Sequence, residues 1–157
     1  MRAGEDALIL DEALAAWDRT TGELVRVARE FAGEWDGTSA NAGWTNRQLL
    51  AHMATGYVVR LVALRGVLAG KPTEAAIDLE AANAANVTRM EALSIDDIIG
   101  EMERVRAEVA ALLRRLTPEH LEVRTQLAGG APLRVALPLL SEHDMEHARE
   151  LRATPSP

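Results

Sequence analysis

The stretch Gly43-Trp44-Thr45-Asn46-Arg47-Gln48-Leu49-Leu50-Ala51-His52 carries the clearest structural signal in the chain. Thr45 and Gln48 stand three positions apart, the spacing of a capping box, in which each side chain bonds the other residue's backbone N–H. Trp44 and Leu49 flank this box at the positions of a hydrophobic staple. The sequence therefore predicts that a helix begins directly after Thr45.

This helix is predicted to run to about residue 69, because Gly70 can adopt the left-handed conformation that ends helices and Pro72 follows. Upstream, apolar residues recur at spacings of three and four along about seven helical turns that end before Gly33. We interpret this stripe as core packing rather than as a ligand-binding box. Its members are Leu10, Leu14, Trp17, Leu24, Ala28 and Phe31.

Three further helices are predicted downstream. The first is polar and covers residues 73–93, and the second follows Ser94 and Asp97, a cap with an acidic partner, as far as about residue 116. The last spans residues 133–152, where Pro138 either kinks the helix or marks its true start.

The segment between the last two helices is predicted to be short and irregular. Thr117-Pro118-Glu119 fits a cap followed by a proline in the first helical position, which indicates one short turn through Leu121. Residues 122–132, which include Gly129 and Gly130, are predicted to form a loop or a small hairpin. The whole pattern predicts an all-α fold, an up-and-down four-helix bundle with a short extra helical turn, in one domain over residues 1–157.

Composition excludes several classes of function. The 157 residues are 48% hydrophobic and 26% charged, which is typical of a globular protein. The net charge of −7 argues against a nucleic-acid partner, and the absence of cysteine removes thiolate ligands and protein-borne sulfur nucleophiles. The longest uncharged stretch, residues 48–59, is too short to span a bilayer. No export signal precedes Asp6, so we expect a cytoplasmic protein without a membrane partner.

Two of the four histidines, His143 and His147, are four residues apart on the predicted last helix. They therefore leave the same helix face, a spacing that suits two ligands on one metal ion. Because Ala136, Leu139 and Leu140 share this face, we expect it to point inward. The alternative is a solvated acidic helix that carries two histidines by chance.

His52 favours a metal site over the alternative of two histidines on a solvated helix. Small and apolar residues follow it on its helix face (Gly56, Val59, Ala63 and Gly66), so it is predicted to point into the bundle. A lone histidine there would be a hydrogen-bonded core residue, but three buried imidazoles need partners, and one divalent metal would satisfy all three. His120 lies in the short turn and is expected to be a solvated surface residue.

The histidine pair of the last helix invites comparison with two protease motifs. The segment His143-Asp144-Met145-Glu146-His147 matches the H-x-x-E-H pattern of inverted zincins, but those enzymes take a glutamate ligand from well downstream. The H-E-x-x-H pattern is excluded because Asp144 occupies the glutamate position. A third ligand must therefore come from upstream, and His52 is the best candidate.

Residues 43–52 and the closing His143-x-x-x-His147 together resemble the DinB-like helical bundles, over nearly the whole chain. The resemblance implies that His52, His143 and His147 bind a divalent metal, usually zinc or nickel. It also implies chemistry with a small thiol, because known members include mycothiol- and bacillithiol-dependent transferases and a mycothiol-dependent isomerase. A homodimer is plausible on the same grounds.

The leading functional hypothesis is therefore a metal-dependent thiol transferase or related enzyme that acts on a small-molecule electrophile. The alternatives are a non-catalytic metal- or ligand-binding stress-response bundle, and a metal-dependent hydrolase whose metal-bound water has a lowered pKa. Metal affinity is predicted to fall between about pH 7 and 5, since histidines titrate near pH 6.5, whereas a site built from carboxylates would keep its metal.

The roles of four neighbouring residues stay open in the sequence. Asp144, Glu146 and Glu150 lie near the paired histidines, where a carboxylate could orient an imidazole or simply face solvent. Tyr57, the only tyrosine, could act as a general acid or pack in the core.

Overall fold

The computed structural model describes residues 2–41, 43–71 and 79–153. Within these ranges the chain forms five α-helices and two short 3-10 turns, at Pro118–Glu122 and Leu127–Gly130, and no β-strand. The helices are α1 (Arg2–Glu30), α2 (Asn46–Leu68), α3 (Leu79–Glu91), α4 (Ile95–Leu113) and α5 (Leu133–Ala153). The predicted all-α class is confirmed.

Four of the helices surround one apolar core. Helix α1 packs against α4 and α5, and α2 packs against α4 and α5 from the other side, while α3 lies against α2. The α2–α5 contact is the least extensive of these five. The core is filled by fully buried residues from all four helices, among them Leu24, Leu49, Tyr57, Ile98, Met102 and Leu151.

The start of α2 is fixed by the predicted capping box. Thr45 Oγ1 accepts a hydrogen bond from the Gln48 N–H (3.1 Å), and Gln48 Oε1 accepts one from the Thr45 N–H (3.0 Å). The buried Asn46 donates its side-chain amide to the carbonyl of Glu34, which ties the preceding loop to the helix. The register of α2 is thus set two turns before His52.

The other predicted helix ends agree with the structure in part. Ser94 caps α4 by accepting from the Asp97 N–H, and Gly70 adopts a φ of +65° after α2. Helix α4 ends at Leu113 rather than near residue 116. The predicted start of α3 at residue 73 lies outside the described residues.

Helix α5 begins five residues before its proline. It starts at Leu133, so Pro138 lies inside the helix and the alternative that it marks the start is wrong. Residues 122–132 contain a 3-10 turn and a single isolated bridge between Arg124 and Pro132 rather than a paired hairpin. Among the described residues, no helix is both long enough and apolar enough to cross a membrane.

Candidate metal centre

The three predicted ligands come together between α2 and α5. One potential ligand nitrogen from each of His52, His143 and His147 lies within 4.8 Å of the others. The Nε2 atoms of His143 and His147 are 3.1 Å apart, and the ring centroid of His52 lies 5.1 Å from that of His147. Within the described part of the chain, no other three potential ligand residues cluster in this way.

The cluster lies at the rim of the bundle, not inside it. His147 is buried (5% exposed) and His52 is half-buried, but His143 is exposed. The expectation of three inward imidazoles is therefore wrong for His143. The reason is that α5 packs mainly on α1, so that its edge towards α2 stays open to solvent.

Glu150 holds the ring of His147. Its carboxylate lies 2.6 Å from His147 Nδ1, and the Asn41 side-chain amide donates to the same carboxylate at 3.3 and 3.4 Å. Because the carboxylate accepts a hydrogen bond from Nδ1, the proton of the neutral ring is on that nitrogen. The lone pair of Nε2 therefore points towards His143. Of the three acidic residues considered from the sequence, Glu150 is therefore the one that orients a ligand, while Glu146 is exposed.

His52 is held by an aromatic neighbour. The Trp44 ring lies against it with a centroid separation of 4.6 Å and an interplanar angle of 57°. The sequence predicts Trp44 in a hydrophobic staple and as part of the stretch that carries the family resemblance, but not in contact with His52. Trp44, which directly precedes the cap of α2, thus also contacts the candidate ligand that α2 carries.

Asp144 belongs to a buried ion pair. Its two carboxylate oxygens accept from the Arg60 guanidinium at 2.6 and 2.8 Å, and the two residues are 2% and 4% exposed. The pair joins α2 to α5 across their sparse contact, and Arg60 also donates to the carbonyl of Leu140 (3.5 Å). Sequence reasoning missed Arg60, although a lone arginine on an otherwise apolar helix face, eight residues after His52, was a usable signal.

Tyr57 packs in the core and does not face the cluster. It is fully buried, its ring centroid lies 5.0 Å from that of Trp17, and its hydroxyl has no hydrogen-bond partner among the described residues. Burial raises the pKa of this hydroxyl well above its usual value, so the group stays neutral. The structure thus favours packing over the general-acid role.

His120 does not join the cluster either. It is half-buried, and its Nδ1 accepts a hydrogen bond from the Thr117 N–H (2.9 Å). It therefore closes the 3-10 turn that follows α4 instead of facing solvent alone.

The surroundings keep two of the rings in their metal-binding, neutral form. Burial, with smaller contributions from His147, His143 and Arg60, lowers the pKa of His52 from 6.5 to about 4. Partial desolvation, followed by the charges of His147 and Arg60, also lowers the pKa of His143 although the residue is exposed overall. Both imidazoles consequently offer a lone pair at neutral pH.

The donor set fits a divalent metal ion. Two nitrogens at 2.0–2.1 Å from one tetrahedral zinc ion lie about 3.3 Å apart, close to the observed separation of the His143 and His147 Nε2 atoms. Two carboxylates that could have served as ligands instead are already paired. Asp144 forms an ion pair with Arg60, and Glu150 contacts His147. The three histidines are therefore the residues that would hold the ion.

A cavity of about 170 Å³ opens beside the three histidines. Three larger grooves, of about 240, 340 and 720 Å³, are lined by residues of α1, α5 and the loop after α1, and none of them contains any of these histidines. The cavity is therefore the space in which a molecule could meet the candidate metal ligands.

We expect replacement of Glu150 by glutamine to weaken metal binding by about 10–100-fold, because the ring of His147 loses the charged acceptor that orients it. Glu142→Gln provides a matched control, since Glu142 is an exposed carboxylate on the same helix. Competition with a chromophoric chelator measures both affinities. Equal affinities in the two variants would contradict the orienting role.

The lowered pKa values change the expected pH dependence of metal binding. Three histidines with a pKa of 6.5 would lose about 30-fold in affinity between pH 7 and 6 through proton competition. Because His52 stays neutral down to about pH 4, we expect a loss of less than about 10-fold in this interval and a steep fall below it. Chelator competition at several pH values, corrected for protonation of the chelator, tests this, and a loss of 30-fold by pH 6 would refute it.

Comparisons with known proteins agree with this architecture. The sequence profile described as the DinB superfamily matches residues 10–151, whereas a comparison with curated proteins gives no match.

Two solved structures share the fold with a TM-score of 0.79. They are a mycothiol-dependent maleylpyruvate isomerase (21% identity) and its histidine-to-alanine mutant (20% identity). In each comparison 94% of this chain is covered, but only 62% of the length of the isomerase chain. Since the profile match extends over most of the sequence, the chain belongs to the DinB superfamily.

Proposed function

We propose that this protein binds a divalent metal ion, zinc or nickel, through His52, His143 and His147, and transfers a small thiol of the mycothiol or bacillithiol type to an electrophile. An isomerisation that proceeds through such a thiol adduct is a related possibility. The observation that carries the proposal is the convergence of three imidazole nitrogens at a rim open to solvent.

Three protein ligands are typical of catalytic rather than structural zinc sites, because they leave a coordination position open. A divalent ion held there would supply Lewis acidity and would favour the thiolate form of a thiol, which is the nucleophilic form. The neutral histidines leave the charge of the ion uncompensated, which favours an anionic sulfur. The exposed side of His143 gives a bulky thiol room to approach.

The thiol must come from outside the chain, because the sequence contains no cysteine. The fold is shared with an enzyme whose name specifies mycothiol, and this supports a small thiol as the co-substrate. Thiolate sulfur would form the new bond to an electrophilic carbon, and the leaving group would depart with the electron pair of the broken bond.

The test combines metal analysis with a thiol assay. Protein purified without chelator is analysed for metal, and the zinc- and nickel-loaded forms are then incubated with 1-chloro-2,4-dinitrobenzene and mycothiol, bacillithiol or glutathione. About one equivalent of metal, together with thiol-dependent release of chloride that is lost in His147→Ala, is the expected result. Metal binding without turnover across a broad set of electrophiles would instead favour a binding protein, and thiol-independent ester cleavage would favour a hydrolase.

A further inference from the structure

Gly56 leaves an opening in the wall of the cavity beside the three histidines. It lies on α2 one turn after His52, so the two positions share a helix face. A Cβ built on Gly56 would have no heavy atom within 4 Å, and its φ is not positive. Neither backbone conformation nor close packing therefore requires glycine at this position.

Empty space next to a helical glycine is not by itself the sign of a site. Gly100 on α4 also has no neighbouring atom within 4 Å of a built Cβ, but it is exposed to solvent and does not line this cavity. Gly56 differs because its missing side chain widens a cavity that reaches the candidate metal ligands. What distinguishes Gly56 is its position in the cavity wall.

The walls of the cavity are largely apolar. Met53, Val59, Leu127 and Leu140 line it, and its polar groups are the three histidines, Gln126 and the Arg60–Asp144 pair. The charge of Arg60 is neutralised by its two hydrogen bonds to Asp144. Among the described residues, the cavity therefore contains no unpaired cation that could bind a carboxylate or phosphate.

The size of the cavity suits one small ring. At about 170 Å³ it is comparable to the apolar cavities of about 150 Å³ that bind benzene. A thiol larger than this does not fit inside the cavity as a whole, and the exposed His143 leaves space for it outside the cavity. The cavity is therefore available to the second reactant, the electrophile.

We propose that this cavity is the subsite for an uncharged apolar group of the electrophile, up to about the size of a phenyl ring, and that the absent side chain at Gly56 sets the largest group that fits. The reaction assigned to the electrophile rests on the proposed function, whereas occupation of the subsite by an apolar group does not require the metal.

The test uses fluorobenzene as a neutral probe and 4-fluorobenzoate as its charged counterpart, each titrated by ¹⁹F NMR into metal-free and zinc-loaded protein. We expect fluorobenzene to bind the native protein in both forms, and more tightly than 4-fluorobenzoate in the metal-free form. Gly56→Leu should weaken fluorobenzene binding by about 10-fold or more, as expected when a hydrophobic pocket is filled. Gly56→Ala should have a smaller effect, and the matched control Gly100→Leu none.

Circular dichroism and metal affinity show whether the variants are intact. Both Gly56 variants should keep the native helix content and metal affinity, because leucine and alanine are better helix formers than glycine and the substitution touches no ligand. Should Gly56→Leu fail to fold, Gly56→Met, which also fills the space beside residue 56, replaces it in the same fluorobenzene titration. Native fluorobenzene affinity in Gly56→Met would then overturn the subsite.

Two further results would overturn the proposal. One is fluorobenzene binding that is equal in the native protein and in Gly56→Leu, and the other is preferential binding of 4-fluorobenzoate to the metal-free protein. Failure of the proposed function is seen separately, as absent thiol turnover in a protein that still binds fluorobenzene at Gly56.

Discussion

Asp144→Ala is expected to lower the free energy of unfolding by about 3–5 kcal/mol, because it leaves the Arg60 guanidinium buried without its counter-charge. The side chains of Arg60 and Asp144 are 5% and 3% exposed, so the unpaired guanidinium would be poorly hydrated. Urea unfolding of the metal-free protein measures the effect, which keeps any change in metal binding out of the comparison.

Asp36→Ala is the matched control for this prediction. Asp36 also pairs with an arginine, Arg47, but its side chain is 81% exposed, and exposed pairs contribute about 0–1 kcal/mol. The double variant Arg60→Met/Asp144→Leu should recover most of the stability lost in Asp144→Ala, because it removes both buried charges together. A loss in Asp144→Ala no larger than that in Asp36→Ala would contradict the prediction.

The second large effect is expected from the candidate ligands. His52→Ala and His147→Ala should each weaken metal binding by at least about 100-fold, which exceeds the 10–100-fold typical of residues that only orient a ligand. Both variants should still fold, because the apolar residues of α1, α2, α4 and α5 form the core without them. Elemental analysis and chelator competition give stoichiometry and affinity.

His120→Ala is the control for these two substitutions. It removes the fourth histidine, which closes the turn after α4 and lies outside the cluster. It should leave the metal affinity unchanged. One equivalent of metal bound with native affinity in both His52→Ala and His147→Ala would refute the three-histidine assignment.

The fold was predictable because its signals are local. The capping box joins Thr45 and Gln48, which are three positions apart, and the apolar stripe of α1 repeats every three or four residues. The same holds for the shared face of His143 and His147, which are one turn apart. His52 was nominated from its own helix face and because the third ligand had to come from upstream of His143. The family resemblance supported that choice, but the packing of α2 beside α5 cannot be read from either helix alone.

What could not be predicted depends on contacts between distant segments. Arg60 meets Asp144 across 84 positions of sequence, and Asn41 meets Glu150 across 109. The exposure of His143 depends on which neighbour α5 packs against most, and a helical face pattern alone does not specify that. These contacts decide which carboxylate orients a ligand and which is neutralised in an ion pair.

The division of the three histidines between two helices also bears on folding. His52 and His143 are about ninety residues apart along the chain, so an ion that binds both acts as a reversible cross-link closed around more than half of the protein. A cross-link over a loop of about 100 residues removes chain entropy from the unfolded state equivalent to about 4–5 kcal/mol. An ion bound by all three histidines would therefore also hold α2 and α5 side by side, and the stability of their sparse contact would rise with the concentration of the metal.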